Sequence, residues 1–295
     1  MVEVTVPYTN CEKVDGTCTI EFTVPKGKDM KAPIAVYYRL TNFYQNNRLY
    51  AMSKSDAQLK GAAILDPALL KECAPLDQKD GNVYYPCGLI ANSYFTDEFT
   101  LLGQDNRIID INAQQIAWPG DKDLYGETQY TADDLNKVLP PPAWAAAGIM
   151  GITADGKYEK FPNLAENERF QNWMKISGLP TFRKLYGRVF EDLKAGEIYK
   201  VVIKDTYNVD GYKGTKSFVI STTNWAGGKN DSLGIGFIIV GGLLLLLGLI
   251  FLVMFMMAPR KVGDVSYLSW YAENSGDPLA AEDAEGIEFN EPVEM

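Results

Sequence analysis

The sequence predicts a mainly antiparallel β domain, sandwich-like and interrupted by helical insertions, followed by one membrane-spanning helix near the C-terminus. Three observations carry this. Residues Leu233 to Met257 form 25 consecutive positions without a charge, amide, hydroxyl or proline. At about 1.5 Å per helical residue they reach roughly 37 Å, enough to cross a hydrocarbon layer of about 30 Å with some tilt. Upstream, several segments alternate apolar and polar residues with the period of a half-buried strand. Four cysteines, in two close pairs, sit in the first third of the chain.

These features divide the 295 residues into a disulfide-bonded domain over 1–232, a span over 233–257 and a tail over 258–295. The net charge of −10 is uneven: the tail holds nine acidic residues against Arg260 and Lys261. The tail therefore reads as a solvated segment, and the large domain carries no charge signature for nucleic acid. Arg260 and Lys261 directly after the span place the C-terminus in the cytosol, which puts residues 1–232 in the lumen or outside the cell. Disulfides persist there. Four cysteines allow three connectivities, and sequence proximity favours Cys11–Cys18 and Cys73–Cys87. Translocating such a domain takes a signal peptide or an earlier span, and the opening residues Met1 to Pro7 supply neither.

In chain order, Ile20, Phe22 and Val24 alternate with Thr19, Glu21 and Thr23 as a strand that ends at Pro25-Lys26-Gly27. Ala32 to Phe43 reads as a long strand with Ile34, Val36, Tyr38 and Leu40 on one face. Gln45 to Gly61 is polar and irregular, and Asp66-Pro67 opens a short helix to Lys71. Between Cys87 and Trp118 the apolar residues are too scattered to define elements. Thr131-Ala-Asp-Asp134 has the form of a capping box and predicts a short helix stopped by Pro140-Pro141-Pro142. Asn163, with Glu166 three residues later, predicts the start of another, buried through Phe170, Trp173 and Met174 and ended by Gly178 and Pro180. Glu197 to Thr206 and Tyr212 to Thr223 are strand-like, and Asn208-Val-Asp-Gly211 between them predicts a hairpin. Trp225 lies where interfacial aromatics concentrate.

Catalytic chemistry finds little support. The chain has no histidine, which excludes Ser-His-Asp and Cys-His arrangements, and the cysteine spacing does not suit zinc. Gly211-Tyr-Lys-Gly-Thr-Lys-Ser217 has no lysine directly after its last glycine, so it is not a phosphate loop. No catalytic residue, metal ligand or cofactor is predicted. Asn230-Asp-Ser232 is the lone N-x-S/T sequon, expected to stay unmodified so close to the bilayer. Within the span Gly234, Gly241 and Gly248 recur every seven residues; such a stripe lets a second helix approach closely, though glycine is also common in spans.

Longer strings add a resemblance. Tyr37-Tyr-Arg-Leu-Thr-Asn-Phe-Tyr-Gln-Asn46 resembles the signature strand of the accessory β-subunits of phospholipid flippases, the Cdc-fifty, ligand-effect modulator and ALA-interacting subunit family. Cys73 to Leu76, Pro86 to Ser93 and Ile116-Ala-Trp118 follow the same pattern, as do Asn167 to Met174, Leu179 to Tyr186 and Ser221 to Gly234. The resemblance implies a two-span protein with cytosolic termini and a disulfide-bonded ectodomain, so that this chain begins just after the family's first span. It implies no catalysis. It implies instead a type IV P-type ATPase as partner, whose folding, exit from the endoplasmic reticulum, trafficking and aminophospholipid translocation towards the cytosolic leaflet the subunit supports, in the endoplasmic reticulum, Golgi, endosomes or plasma membrane. From the disulfides and the span alone, a single-span receptor or adhesion ectodomain is equally allowed; a membrane-anchored hydrolase using carboxylates is a third class.

Overall fold

The computed structural model describes residues 2–148, 151–222 and 231–257. Within residues 1–229, one compact unit, the described strands in chain order are β1 (Glu3–Pro7), β2 (Thr17–Thr23), β3 (Ile34–Leu40), β4 (Gln78–Lys79), β5 (Asn82–Tyr84), β6 (Glu98–Leu102), β7 (Ile108–Ile109), β8 (Val138–Leu139), β9 (Phe182–Val189), β10 (Ile198–Lys204) and β11 (Lys216–Thr222). They form one sheet in the order β1-β11-β3-β9, a second in the order β2-β10-β6-β7, and a small one of β4-β5-β8. Every pairing in the two large sheets is antiparallel.

The two large sheets pack face to face because their strands carry large apolar side chains at every second position. Cys18, Ile20 and Phe22 of β2 are buried, as are Tyr199, Val201 and Ile203 of β10, and Phe22 lies directly opposite Tyr199 in the register. Across the sandwich the β11 ring Phe218 meets Phe22 at 6.0 Å and Phe99 of β6 edge-on at 5.3 Å, while Phe99 meets Tyr186 of β9 at 4.7 Å. Such pairs add about 0.5–1.5 kcal/mol each beyond the area they bury. On the β3–β9 seam the register shifts between Val36 and Tyr37, beside Gly187. A Cβ on Gly187 would stand 2.5 Å from Ile111 and 2.9 Å from the Asn112 carbonyl, so only glycine lets that loop approach.

The alternation at residues 19–24 and 34–40 is observed as expected, but the predicted hairpin is not formed. β10 pairs with β2 and β6, whereas β11 pairs with β1 and β3, so residues 205–215 cross from one sheet to the other. The connection contains a short 3-10 turn at Asp210–Tyr212 rather than a two-residue loop. Asn208 to Gly211 has turn chemistry, but that local signal does not decide which strands pair. The buried faces of both strands do, since each supplies a wall of the same core.

The insertions between β3 and β9 are a set of short helices, at Arg48–Met52, Asp56–Leu59, Leu89–Asn92, Pro119–Lys122, Pro142–Ala147 and Glu168–Met174, with 3-10 turns at Pro67–Cys73 and Ala132–Asp134. The polar stretch Gln45 to Gly61, expected to be irregular, thus contains two helical turns. Asn47 opens the first, its Oδ1 accepting from Leu49 and Tyr50 N–H. The capping box at Thr131 forms, with the Thr131 N–H donating to Asp134 Oδ2 at 2.9 Å. The helix expected to begin at Asn163 begins four residues later: Asn167 Oδ1 accepts from Phe170 N–H at 3.0 Å, while Asn163 only holds a turn through Ala165. Its buried stripe is as read, with Phe170, Trp173 and Met174 inside.

The second unit contains the helix Asp231–Met257. Its stretch Gly234–Met257 contains an 18-residue window with a mean hydropathy of 3.0 and is long and apolar enough to cross a membrane. Trp225, Asn230 and the acidic tail 258–295 lie outside the described residues. At the other end of that connection, Val2 and Thr222 exchange hydrogen bonds: Val2 N–H donates to Thr222 Oγ1 and Thr222 N–H to the Val2 carbonyl, both at 2.9 Å.

Candidate functional site

The predicted cysteine positions come together in two disulfides. Cys11 and Cys18 are joined across the turn before β2, with Cα atoms 5.9 Å apart, and Cys73 and Cys87 at 5.6 Å among the helical insertions. The second pair is buried inside a polar frame. Ser53 Oγ donates to the Cys73 carbonyl at 3.0 Å and accepts from Leu89 N–H at 2.9 Å, while Cys87 N–H donates to Gln58 Oε1 at 3.0 Å. Gly88, at φ +100°, passes so close that a Cβ would stand 2.1 Å from the Ser53 carbonyl oxygen. The frame and the disulfide together order the helical layer, whose helices are too short to be stable alone.

Where the chain crosses between sheets, a charge cluster is buried that no motif in the sequence announces. Lys216, at the start of β11, donates to Asp97 Oδ2 at 2.8 Å, to the Tyr207 carbonyl at 2.6 Å and to Asp205. Asp97 also accepts from Tyr8 Oη at 2.9 Å, Thr206 N–H at 2.8 Å and Tyr207 N–H at 2.6 Å. Lys13 reaches Asp205 Oδ2 at 2.9 Å from the surface. Burial pushes the Asp97 carboxyl up from its ordinary pKa even against the neighbouring Lys216. Burial also opposes ionisation of Asp205, but its bonds to Lys216 and Lys13 prevail and hold it below the usual range. The cluster's ammonium groups and carboxylates are engaged with one another and with protein donors. It locks the crossover; it does not present chemistry.

The helix Glu168–Met174 is fixed at both ends by charge. Glu168 accepts from Ile116 N–H at 2.6 Å, Ala117 N–H at 2.8 Å and Lys122 Nζ at 2.6 Å. Burial alone would raise its carboxyl, and these bonds bring it below the ordinary value. At the C-terminal end the Lys184 ammonium of β9 donates to the carbonyls of Asn172 and Trp173, each at 3.0 Å, and to that of Lys175. A cation suits the negative end of a helix, while burial, with Lys175 nearby, brings Lys184 down to about 7. The indole N–H groups of Trp173 and Trp144 donate to the carbonyls of Ile90 and Ala91.

This framework presents an apolar surface rather than a reaction site. Ser177 N–H donates to Gln45 Oε1 and Asn46 Nδ2 to the Gly178 carbonyl, both at 3.0 Å. That stapling leaves Tyr44, Leu49 and Leu179 exposed on adjoining segments. Among the described residues no group of histidine, cysteine, aspartate and glutamate could hold a metal ion. In the membrane helix Gly234, Gly241 and Gly248 are open, and a Cβ at any of them would meet nothing in the described structure. Their sequence spacing turns them about 20° per step along one stripe.

The sandwich, its two disulfides and the apolar helix define a membrane-anchored β protein with an exposed apolar surface and no catalytic constellation among the described residues. The comparisons with known proteins give the family. A sequence model of the LEM3 (ligand-effect modulator 3) / CDC50 family matches residues 2–261, and the chain belongs to that family. It is 40% identical over 263 residues to ALA-interacting subunit 3 of Arabidopsis thaliana, covering 89% of this chain and 70% of that protein. It is 39% identical over 268 residues to the phospholipid-transporting ATPase accessory subunit CDC50 of Chaetomium thermophilum, covering 86% and 63%. To cell cycle control protein 50A of Bos taurus it is 36% identical over 253 residues, covering 80% and 67%. Accessory subunits of this family are non-catalytic.

Proposed function

We propose that the protein is the accessory subunit of a phospholipid-transporting P-type ATPase of type IV, acting by contact and not by chemistry. The single observation that carries this is the family match over residues 2–261, which spans both the β domain and the apolar helix. The names of the relatives, accessory subunits of phospholipid-transporting ATPases among them, support it. In this proposal residues 1–232 are extracytosolic, 233–257 span the bilayer and 258–295 are cytosolic, in keeping with Arg260 and Lys261 after the span. The subunit supports folding of the pump, its exit from the endoplasmic reticulum and its movement through the Golgi and endosomes to the plasma membrane. It also supports aminophospholipid translocation to the cytosolic leaflet. A subunit shifts a pump between conformations only by binding some of them better than others. The exposed apolar surface around Tyr44, Leu49 and Leu179 suits that contact outside the bilayer, and the glycine stripe suits it within.

The test is purification of the full chain in mild detergent, with mass spectrometry of what accompanies it. A type IV P-type ATPase in stoichiometric yield is expected, and its absence overturns the proposal. Gly241→Leu, which fills the stripe, is expected to lower that yield while leaving the β domain folded; unchanged recovery removes the stripe from the interface.

A further inference from the structure

One end of the sandwich is built from the turns that join β2 to β3, β6 to β7 and β9 to β10, residues 24–33, 103–107 and 190–197. They are tied into one surface. Met30 and Leu193 exchange backbone hydrogen bonds at 2.8 and 2.9 Å, and Val24 N–H donates to the Glu197 carbonyl. Arg107 holds Glu191 with two bonds, at 3.2 and 2.7 Å, and Lys31 holds Asp192 at 2.7 Å. The register runs Thr222–Ile34–Val189 across the first sheet, so β11 ends at this same surface. Eight residues separate Thr222 from Asp231, where the apolar helix begins. Fully extended they reach no more than about 30 Å, so this end of the sandwich is tethered within that distance of the bilayer.

Its composition fits such a neighbour. Phe190 is 60% exposed, Ile108 67% and Ile198 47%, three large apolar side chains at the margins of the turns. Phe190 and Ile108 are each the sequence neighbour of a member of the Arg107–Glu191 pair, which joins their two turns. The three turns carry five basic and five acidic residues, a balanced set. A surface with no net charge gains nothing from an anionic leaflet, whereas apolar side chains flanked by paired charges suit the interfacial zone of a zwitterionic one.

We propose that this end of the sandwich rests on the zwitterionic extracytosolic leaflet, with Phe190, Ile108 and Ile198 inserted at headgroup level. The inference rests on the membrane anchor and not on the pump, so failure of the co-purification test leaves it standing. No free cysteine is present among the described residues, so a nitroxide can be placed at one site at a time in Phe190→Cys, Ile108→Cys and Val14→Cys of the full chain. Val14 is also exposed but lies in the turn before β2, at the opposite end of that strand. In phosphatidylcholine vesicles, the ratio of oxygen to nickel-chelate collisions is expected to rise at 190 and 108 above that at 14, and to be unaltered by phosphatidylserine. Equal ratios at the three sites, or a rise that needs phosphatidylserine, overturn the proposal. The unmodified chain provides a second readout: amide exchange over 103–108 and 190–198 is expected to slow in phosphatidylcholine nanodiscs relative to micelles, with 12–17 unaffected. Unchanged exchange there overturns the proposal equally.

Discussion

Lys216→Met tests whether the buried charge cluster holds the crossover. The substitution keeps most of the side-chain length and removes the only cation that touches both Asp97 and Asp205 among the described residues. Breaking a buried pair by deleting one partner costs about 3–5 kcal/mol. Here the loss should fall near the lower end, about 3 kcal/mol, since Asp97 keeps Tyr8 and two backbone N–H donors and Asp205 keeps Lys13. The sign of the pH dependence separates charge from packing. Burial already raises the Asp97 carboxyl in the presence of Lys216, and without the cation it rises further. A carboxyl raised on folding binds a proton that the unfolded chain releases, so stability falls as pH climbs from the unfolded to the folded value. The variant should therefore recover stability as pH is lowered from 7 through the folded-state value of Asp97, and Asp97→Asn in the same chain should restore much of the loss at pH 7. Urea unfolding of the full chain in detergent, followed by the fluorescence of buried Trp144 and Trp173, measures both. A loss under about 1 kcal/mol, or a full loss that ignores pH and Asp97→Asn, refutes the electrostatic account.

Other substitutions probe the rest of the framework. Replacing Cys73 and Cys87 together by serine should cost about 3 kcal/mol for the 15-residue loop, read as a lower urea midpoint than the reduced-loop variant of Cys11 and Cys18, which closes a shorter turn. Gly88→Ala should destabilise far more than Gly16→Ala: both have positive φ, but only Gly88 would drive its Cβ into a backbone oxygen, while Gly16 has open space. Urea unfolding would show a loss of about 1–2 kcal/mol for Gly16→Ala, the cost of the left-handed region for a residue with a Cβ, and a much larger one for Gly88→Ala. Glu168→Gln should cost about 1.5–3 kcal/mol at pH 7, the worth of hydrogen bonds to a charged group. Because the Glu168 carboxyl is lowered on folding, its contribution is present above the ordinary carboxylate range and is lost as pH falls through its folded value. The difference between wild type and variant should thus shrink in acid, and a constant difference would contradict it.

What the sequence makes legible here is local. β2 and β3 alternate because each buries one face, and the pattern shows that without reference to a partner. The span is legible for the same reason, being apolar on all sides. β9 was hidden because Arg183, Lys184 and Arg188 interrupt its apolar residues, and Lys184 is inside for a reason that only the fold supplies, the carbonyl end of a helix nine to twelve residues upstream. The Asp97–Lys216 pair joins residues 119 positions apart, and nothing in the neighbourhood of either marks it. The helix start at Asn167 instead of Asn163 shows the converse: both asparagines have the right chemistry, and the bonds that Ile116 and Ala117 N–H donate to Glu168 favour the later start.

The missed crossover has a consequence for how the domain forms. Along the chain the strands of the two large sheets alternate, β1 in the first, β2 in the second, β3 in the first, β6 and β7 in the second, then β9, β10 and β11 in first, second and first. Pairing is therefore almost wholly non-local, the kind that must close long loops before any contact stabilises it. The two strands that arrive last, β10 and β11, are interior strands, β10 between β2 and β6 and β11 between β1 and β3. Until they are in place, β1 has no partner in the first sheet and β2 none in the second. Neither sheet can close before residues 198–222 are available, and these are the residues that lead towards the apolar helix. The Lys216 cluster then ties β11 to the residue preceding β6 and to the end of β10, so the same final strand that completes the first sheet also fixes it to the second. A chain shortened before residue 198 would keep β3 beside β9 but leave β1 and β2 without the interior strands that pair them.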